Sequence, residues 1–200
     1  VPHAASPKMI EKYRNLPRGK YCRDADYLQP EEMTEGQRTC TWRLQYAAMV
    51  EETDISLGRI MTALEKAGVA DNTYIIFTSD NGGGLTPNGA LTGGKANLYE
   101  GGLRVPTVIA GPKMPKGTQC DVPIIQWDLL ATFHDLSGSK TPLPEGVDGG
   151  SLKNVFEKGN KATVDRPIPG LVFNYPYYAA APINAIRMGD YKLLRHLNTG

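Results

Sequence analysis

Histidine and cysteine are scarce in this chain, at three of each in 200 residues. The cysteines, Cys22, Cys40 and Cys120, lie too far apart in sequence to form a zinc-binding pair. Their odd number leaves at least one free or paired outside the chain. A Cys22–Cys40 disulfide would need an oxidising compartment, and three ordinary thiols is the simpler reading. Net charge is also scarce: 22 Lys and Arg against 21 Asp and Glu give +1. Such a balance gives no global attraction to nucleic acid or to an acidic membrane surface. No apolar run approaches the ~20 residues of a membrane-spanning helix, and there are no internal repeats or low-complexity tracts. An initiator Met and a signal peptide are absent as well. The opening Val1-Pro2-His3 reads as the middle of a longer protein. What is present, 40% hydrophobic and 22% charged residues, suits one sizeable domain with or without a small appendage.

The first 40 residues are rich in Pro, Arg and polar groups and read as a long irregular loop, with Thr39 or Thr41 placed to cap a following helix. From Trp42 onward, Tyr46, Met49, Val50, Leu57, Ile60, Met61 and Leu64 recur at helical spacing, and Gly68 supplies a stop. Tyr74–Ser79 then reads as a buried strand, and Val105–Ala110 as another, stopped by Gly111-Pro112. Ile124–Leu136 has helical periodicity and ends at Ser137-Gly138. A turn-rich linker leads to a short helix over Ser151–Lys158. Beyond Arg166 the pattern changes to strands, Leu171–Tyr175 and Ala185–Arg195, the latter with a Gly189-Asp190 turn inside it. The fold class expected is α/β, with residues 166–200 beginning a small antiparallel β subdomain.

The strand Tyr74-Ile-Ile-Phe-Thr-Ser ends in Asp80-Asn81-Gly82-Gly83, and a glycine-flanked Gly93-Gly94-Lys95 and Tyr99-Glu100-Gly101-Gly102 follow. In an open α/β sheet, ligands sit beyond the carboxyl ends of strands, where Asp80 and Asn81 project. Asp-Asn-Gly is equally a turn signal, since Asn and Gly accept positive φ. As ligands the pair offers only oxygen, which favours Ca²⁺ or Mg²⁺ over zinc. Gly89–Lys95 matches the start of a phosphate-binding P-loop, but Ala96 stands where Ser or Thr is required. A Pro87-Asn88-Gly89 turn replaces the preceding strand, and Gly101-Gly102 interrupts the following helix, so the nucleotide reading fails. Lys95 remains either a point charge for an oxyanion or a solvated surface lysine. His134 falls on an apolar helix and reads as packed or surface, while His196 stands beside Arg195.

Together, Tyr46-Ala-Ala-Met-Val-Glu, Asp54, Phe77-Thr-Ser-Asp-Asn-Gly-Gly, Gly93-Gly-Lys95, Tyr99-Glu-Gly-Gly-Leu-Arg-Val-Pro106 and Ala185-Ile-Arg-Met-Gly-Asp-Tyr-Lys-Leu resemble the type I, formylglycine-dependent sulfatases of the alkaline-phosphatase-like superfamily. The proline-flanked His3 segment, with Pro7 and Glu11-Lys12-Tyr13, is similar to theirs too. The resemblance implies that Asp80 and Asn81 are Ca²⁺ ligands (Mg²⁺ being the lesser candidate). It implies that Lys95 contacts sulfate, and that His3 donates to the sulfate or its leaving oxygen. Arg104, Arg187 and Lys192 belong to framework motifs. It also implies an alkaline-phosphatase-like sandwich, with residues 1–165 as the C-terminal half of the catalytic domain, and an extracytoplasmic location (periplasmic, secreted or lysosomal).

The family's formylglycine arises from a Cys/Ser-x-Pro/Ala-x-Arg motif, and none occurs here: Cys22, Cys40 and Cys120 precede Arg-Asp, Thr-Trp and Asp-Val. The paired N-terminal aspartates of the metal site are also absent. The resemblance therefore places the nucleophile and the other ligands in an N-terminal half outside this chain, which alone should not turn over. A superfamily phosphodiesterase or phosphonate hydrolase, or a non-catalytic chain needing a partner, stands as the alternative. Asn81, where those hydrolases often carry His, leans toward the sulfatase.

Overall fold

The computed structural model describes residues 5–14, 35–84, 88–175 and 183–197. The chain divides into two compact units, Val1–Thr73 with Gly84–Pro87, and Tyr74–Gly83 with Asn88–Gly200.

In the first unit, α1 (Pro7–Arg14) packs on α2 (Glu35–Lys66). The expectation of an irregular loop through residue 40 is corrected at both places. Pro7 opens α1, where its missing N–H costs nothing, and the Ser6 hydroxyl accepts the Met9 amide at 3.3 Å. The Ser6 amide donates to both carboxylate oxygens of Glu52 at 3.0 and 3.1 Å, and Lys12 pairs with Glu51, so α1 is tied to α2 by polar contacts that its own sequence does not announce. Met9, Ile10 and Tyr13 are half-buried on its inner side. Helix α2 begins ahead of Thr39 and Thr41, which lie inside it rather than at its cap. A first stretch of polar helix carries no apolar periodicity to reveal it. At the other end the expected stop holds: Gly68 has φ 69°, Val69 N–H donates to Leu64 O at 3.1 Å and Gly68 N–H to Glu65 O at 2.9 Å. These bonds form a Schellman motif.

In the second unit, β1 (Ile75–Thr78) pairs antiparallel with β2 (Thr107–Ala110), Ile75 opposite Ala110 and Thr78 opposite Thr107. Among the described residues this sheet has two strands. The expectation that β1 is buried is corrected: Phe77 is 39% exposed and its neighbour across the ladder, Val108, 64% exposed. Apolar composition foretells a strand but not how much of it other elements cover. Short helix α3 (Glu100–Leu103) lies between the two strands, α4 (Asp128–Leu136) and α5 (Lys153–Lys158) follow them, and then β3 (Leu171–Tyr175), β4 (Ile183–Met188) and β5 (Tyr191–His196) form an antiparallel sheet in that order. Met188 pairs with Tyr191 around Gly189-Asp190. Of the two turn residues only Gly189 has positive φ, 54°, the pattern of a type II′ hairpin.

The core of this unit gathers Ala131, Leu152, Val155 and Phe156 around α4 and α5. A buried ion pair organises it. Asp128, whose side chain is fully buried, accepts Arg166 Nε on Oδ1 at 2.8 Å and Arg166 Nη2 on Oδ2 at 2.6 Å. The same carboxylate takes the backbone amides of Ile125 at 2.9 Å and Gly150 at 3.1 Å. This is why α4 starts at Asp128 and not at Ile124 as its periodicity suggests. The carboxylate reaches back to pin the Ile125 amide, leaving the preceding residues as a loop.

Candidate active site

Strand β1 delivers Ser79, Asp80 and Asn81 to its carboxyl end. Two bonds hold this tip: Gln126 Nε2 donates to Ser79 O at 2.7 Å, and Ser79 Oγ donates to Asn81 O at 3.2 Å. The following Gly82-Gly83 is locked by backbone against two other glycine pairs. Gly82 N–H donates to Gly102 O at 2.9 Å, and Gly101 N–H to Thr92 O at 2.8 Å. Lys95 N–H donates to Gly83 O at 3.2 Å. The segments approach so closely that a Cβ on Gly82 would lie 1.9 Å from Gly101 O, one on Gly101 2.2 Å from Gly93 O, and one on Gly94 2.5 Å from Gly83 O. Three backbone segments occupy space that side chains would need, so glycine is required here for packing.

Asn88 clips the arrangement. Its Nδ2 donates to Gly83 O at 3.1 Å and Gly93 O at 2.8 Å, and its Oδ1 accepts the Gly83 amide at 3.1 Å. Sequence reasoning took Asn88 as a turn residue and missed this cross-link, as it missed Gln126. The partners of both are fixed by tertiary approach, and the only local signal was the Pro-Asn-Gly turn. Ala96, directly after Lys95, has φ 72°, a left-handed conformation that costs a non-glycine residue about 1–2 kcal/mol. The Lys95 backbone is therefore held in place against a local preference.

Asp80, Asn81 and Lys95 all line one cavity of about 580 Å³, whose other walls include Thr78, Asn97 and Gln126 beside apolar side chains such as Ile76, Ile109 and Leu129. The structure thus brings together three of the four residues singled out from sequence. The fourth, His3, lies outside the described residues. Asp80 and Lys95 are both exposed. Among the described residues the Asp80 carboxylate accepts only a long 3.5 Å contact from Ser79 Oγ, and the Lys95 side chain has neither an ion pair nor a hydrogen bond. A carboxylate and an ammonium left open to one cavity are free to take an external cation and an external anion.

As donors for a cation, Asp80 and Asn81 are oxygen-only, which suits Ca²⁺ in kind. Among the described residues no group of three or more His, Cys, Asp or Glu gathers to complete a cage. The pair fits as part of a coordination sphere that takes about six to eight oxygens.

Of the remaining histidines, His134 Nε2 bonds Thr141 O at 2.5 Å, and His196 sits on β5 opposite Ile183. Cys120 is free and exposed, whereas Cys22 and the Cys40 side chain lie outside the described residues, as does their suggested disulfide. Lys192, placed among framework residues from sequence, bonds Glu100 at 2.7 Å. No helix among the described residues is long and apolar enough to cross a membrane.

The family model described as Sulfatase matches residues 4–139. An N-acetylgalactosamine-6-sulfatase of Mus musculus is 33% identical over 158 residues, covering 75% of this chain and 29% of that protein. An N-acetylglucosamine-6-O-sulfatase of Bacteroides thetaiotaomicron is 32% identical over 173 residues, covering 82% of this chain and 30% of that protein. A solved structure of a protein in complex with its substrate, D-glucosamine-2-N, 6-O-disulfate, superposes with a TM-score of 0.66 at 23% identity, covering 98% of this chain and 51% of that one. The chain therefore spans less than a third of the length of these curated relatives. The expected α/β, alkaline-phosphatase-like fold is the one observed. By the family model's match to most of its length, this chain belongs to the sulfatase family.

Proposed function

We propose that the chain is part of a sulfatase that hydrolyses a sulfate ester, with Ca²⁺ as its metal and a formylglycine nucleophile lying outside this chain. One observation carries the reading: the Lys95 ammonium, without an ion pair or hydrogen bond among the described residues, and the Asp80 and Asn81 side chains open onto a single cavity, held there by interlocked glycine backbone. In sulfate-ester cleavage, charge develops on the sulfuryl oxygens and on the departing alkoxide, and preorganised cations and donors are what lower that barrier. Lys95 takes the first role, as a point charge on a non-bridging sulfate oxygen. His3 takes the second, donating a proton toward the leaving oxygen or a hydrogen bond to the sulfate. Asp80 and Asn81 hold the cation, which when bound acts as a Lewis acid on the sulfate.

Residues 1–165 are taken as the C-terminal half of the catalytic domain and 166–200 as the start of the smaller β subdomain. The N-terminal half of the same domain is the partner that supplies the remaining metal ligands. It also covers apolar surface such as Phe77 and Val108, which the chain leaves open. The names of the amino-sugar sulfatases among its relatives support a sulfated carbohydrate as substrate, and family membership supports an extracytoplasmic location.

The test is turnover of an aryl sulfate with Ca²⁺ present. The chain alone should release no sulfate. The full-length protein should do so, and Lys95→Ala should lower its kcat by roughly 10²–10³-fold, the scale of losing one preorganised oxyanion donor. Wild-type turnover of a phosphodiester in preference to the sulfate ester would replace this reading with the superfamily alternative.

A further inference from the structure

Strand β5 turns Lys192, Leu194 and His196 to its less exposed face and Tyr191, Leu193 and Arg195 outward. Leu193 faces outward and is 67% exposed, while the neighbouring Lys192 points inward with its side chain only 16% exposed. An inward lysine beside an outward leucine contradicts the ordinary alternation of a half-buried strand and calls for a specific partner. Lys192 also stands directly opposite Arg187 in the β4–β5 ladder. Like charges at paired positions lie on the same face and repel, so that arrangement too needs an anion over it.

The anion is Glu100, the first residue of α3, which accepts Lys192 Nζ at 2.7 Å from 92 residues away in sequence. Its carboxyl is held below the usual range chiefly by that hydrogen bond, with Lys192, Arg187 and Arg104 adding their positive field and partial burial opposing it. Directly after Glu100 come Gly101 and Gly102. Gly101 N–H bonds Thr92 O at 2.8 Å, and Gly102 N–H bonds Tyr99 O at 3.0 Å. A Cβ on Gly102 would lie 2.2 Å from Asn97 O and 2.5 Å from Gly94 O. Glu100 is thus joined by a rigid pair of glycines to the turn that presents Lys95.

We propose that Lys192 is a positioning residue for Lys95. Its ion pair with Glu100 ties α3, and through α3 the Thr92–Asn97 turn, to the three-stranded sheet, setting where the Lys95 ammonium sits in the cavity. The consequence for catalysis rests on the sulfatase reading above; the consequence for the turn does not.

The experiment separates the two. In the full-length protein, amide hydrogen exchange is followed at Gly101 and Lys95, whose N–H groups bond Thr92 O and Gly83 O. Steady-state kcat and KM for an aryl sulfate are measured in parallel. Lys192→Met should speed exchange at both amides about tenfold, the effect of about 1.4 kcal/mol. It should lower kcat about tenfold with KM altered less than about twofold, because a misplaced charge weakens transition-state contacts more than ground-state binding. Lys192→Arg, and the swapped pair Glu100→Lys with Lys192→Glu, should return exchange to within about threefold of wild type. Arg195→Met, removing an exposed cation from the same strand, should change neither. Unaltered exchange at Gly101 and Lys95 in Lys192→Met overturns the proposal, as does failure of both the arginine and the swapped variant to restore it. Faster exchange in Lys192→Met, alongside a wild type that turns over no sulfate ester, sustains the positioning role and removes the sulfatase reading.

Discussion

Two aspartates in this chain occupy opposite physical situations. Asp128 is fully buried and accepts four hydrogen bonds, two from Arg166 and two from backbone amides. Asp80, at the tip of β1, is exposed and accepts one long contact from Ser79. The first has every lone-pair direction occupied by protein, so nothing external can use it. The second keeps its coordinating capacity and is held in place through its backbone. A buried charge must be satisfied by the fold, and a ligand-binding charge must not be. The fold immobilises Asp80 and Lys95 with glycine contacts and the Asn88 clip, leaving both heads exposed. It spends its side-chain hydrogen bonds on Asp128.

The contrast is broken most strongly at Arg166. Arg166→Leu leaves the Asp128 carboxylate buried with its charge unpaired, and should destabilise the full-length protein by about 3–5 kcal/mol in chemical denaturation. A loss below about 1 kcal/mol would mean that the two backbone amides suffice to hold the carboxylate. At Asp80 the opposite is expected. Asp80→Ala should alter stability by no more than about 0.5 kcal/mol when measured without metal. It should also abolish the Ca²⁺ dependence of sulfate release and of thermal stability. Unchanged Ca²⁺ dependence in that variant would remove Asp80 from the ligand set.

Between these extremes lies Glu100, partly exposed and paired with Lys192. Because its carboxyl is held below the ordinary range, first by the Lys192 hydrogen bond, it stabilises the folded state fully above about pH 4.3, the usual glutamate value. That contribution fades as pH falls through the lowered value. In a denaturation series from pH 6 to pH 2, Lys192→Met should flatten this part of the acid dependence, and Arg195→Met should leave it as it is. An identical acid limb in wild type and Lys192→Met would show that the pair is too solvated to matter.

How far these distinctions were legible in sequence depends on the range of the interaction behind them. Gly68 and Gly189 announced their turns because the cause is local: each needs positive φ within its own turn. Asp80, Asn81 and Lys95 were legible as a group because the glycines between them are a dense, unusual signal, although the reason for those glycines, three segments in backbone contact, is visible only in the fold. Helix α1 was not legible, since eight residues make a marginal helix and its support comes from Glu51 and Glu52 on α2. The inward turn of Lys192 was beyond reach for the same reason, its partner being 92 residues away. Residues whose role was set by neighbours in sequence could be read, and those set by distant partners could not.

The smallest expected effect tests how much force the site side of the comparison exerts on its own backbone. Ala96 holds φ 72° immediately after Lys95. Ala96→Gly would relieve left-handed strain of about 1–2 kcal/mol. It would also add freedom to the unfolded chain, costing about 0.4–1 kcal/mol. The net expectation is stabilisation by roughly 0.5 kcal/mol, read as a small rise in denaturation midpoint with an unchanged m-value. Ala96→Val should move the other way, by more than about 1 kcal/mol, since a β-branched residue tolerates this conformation least. If the glycine contacts fix the Lys95 turn, kcat should survive the glycine substitution, because the conformation is imposed from outside and does not depend on Ala96. A glycine variant that is more stable yet loses activity would show instead that the strained alanine itself keeps Lys95 aimed at the cavity.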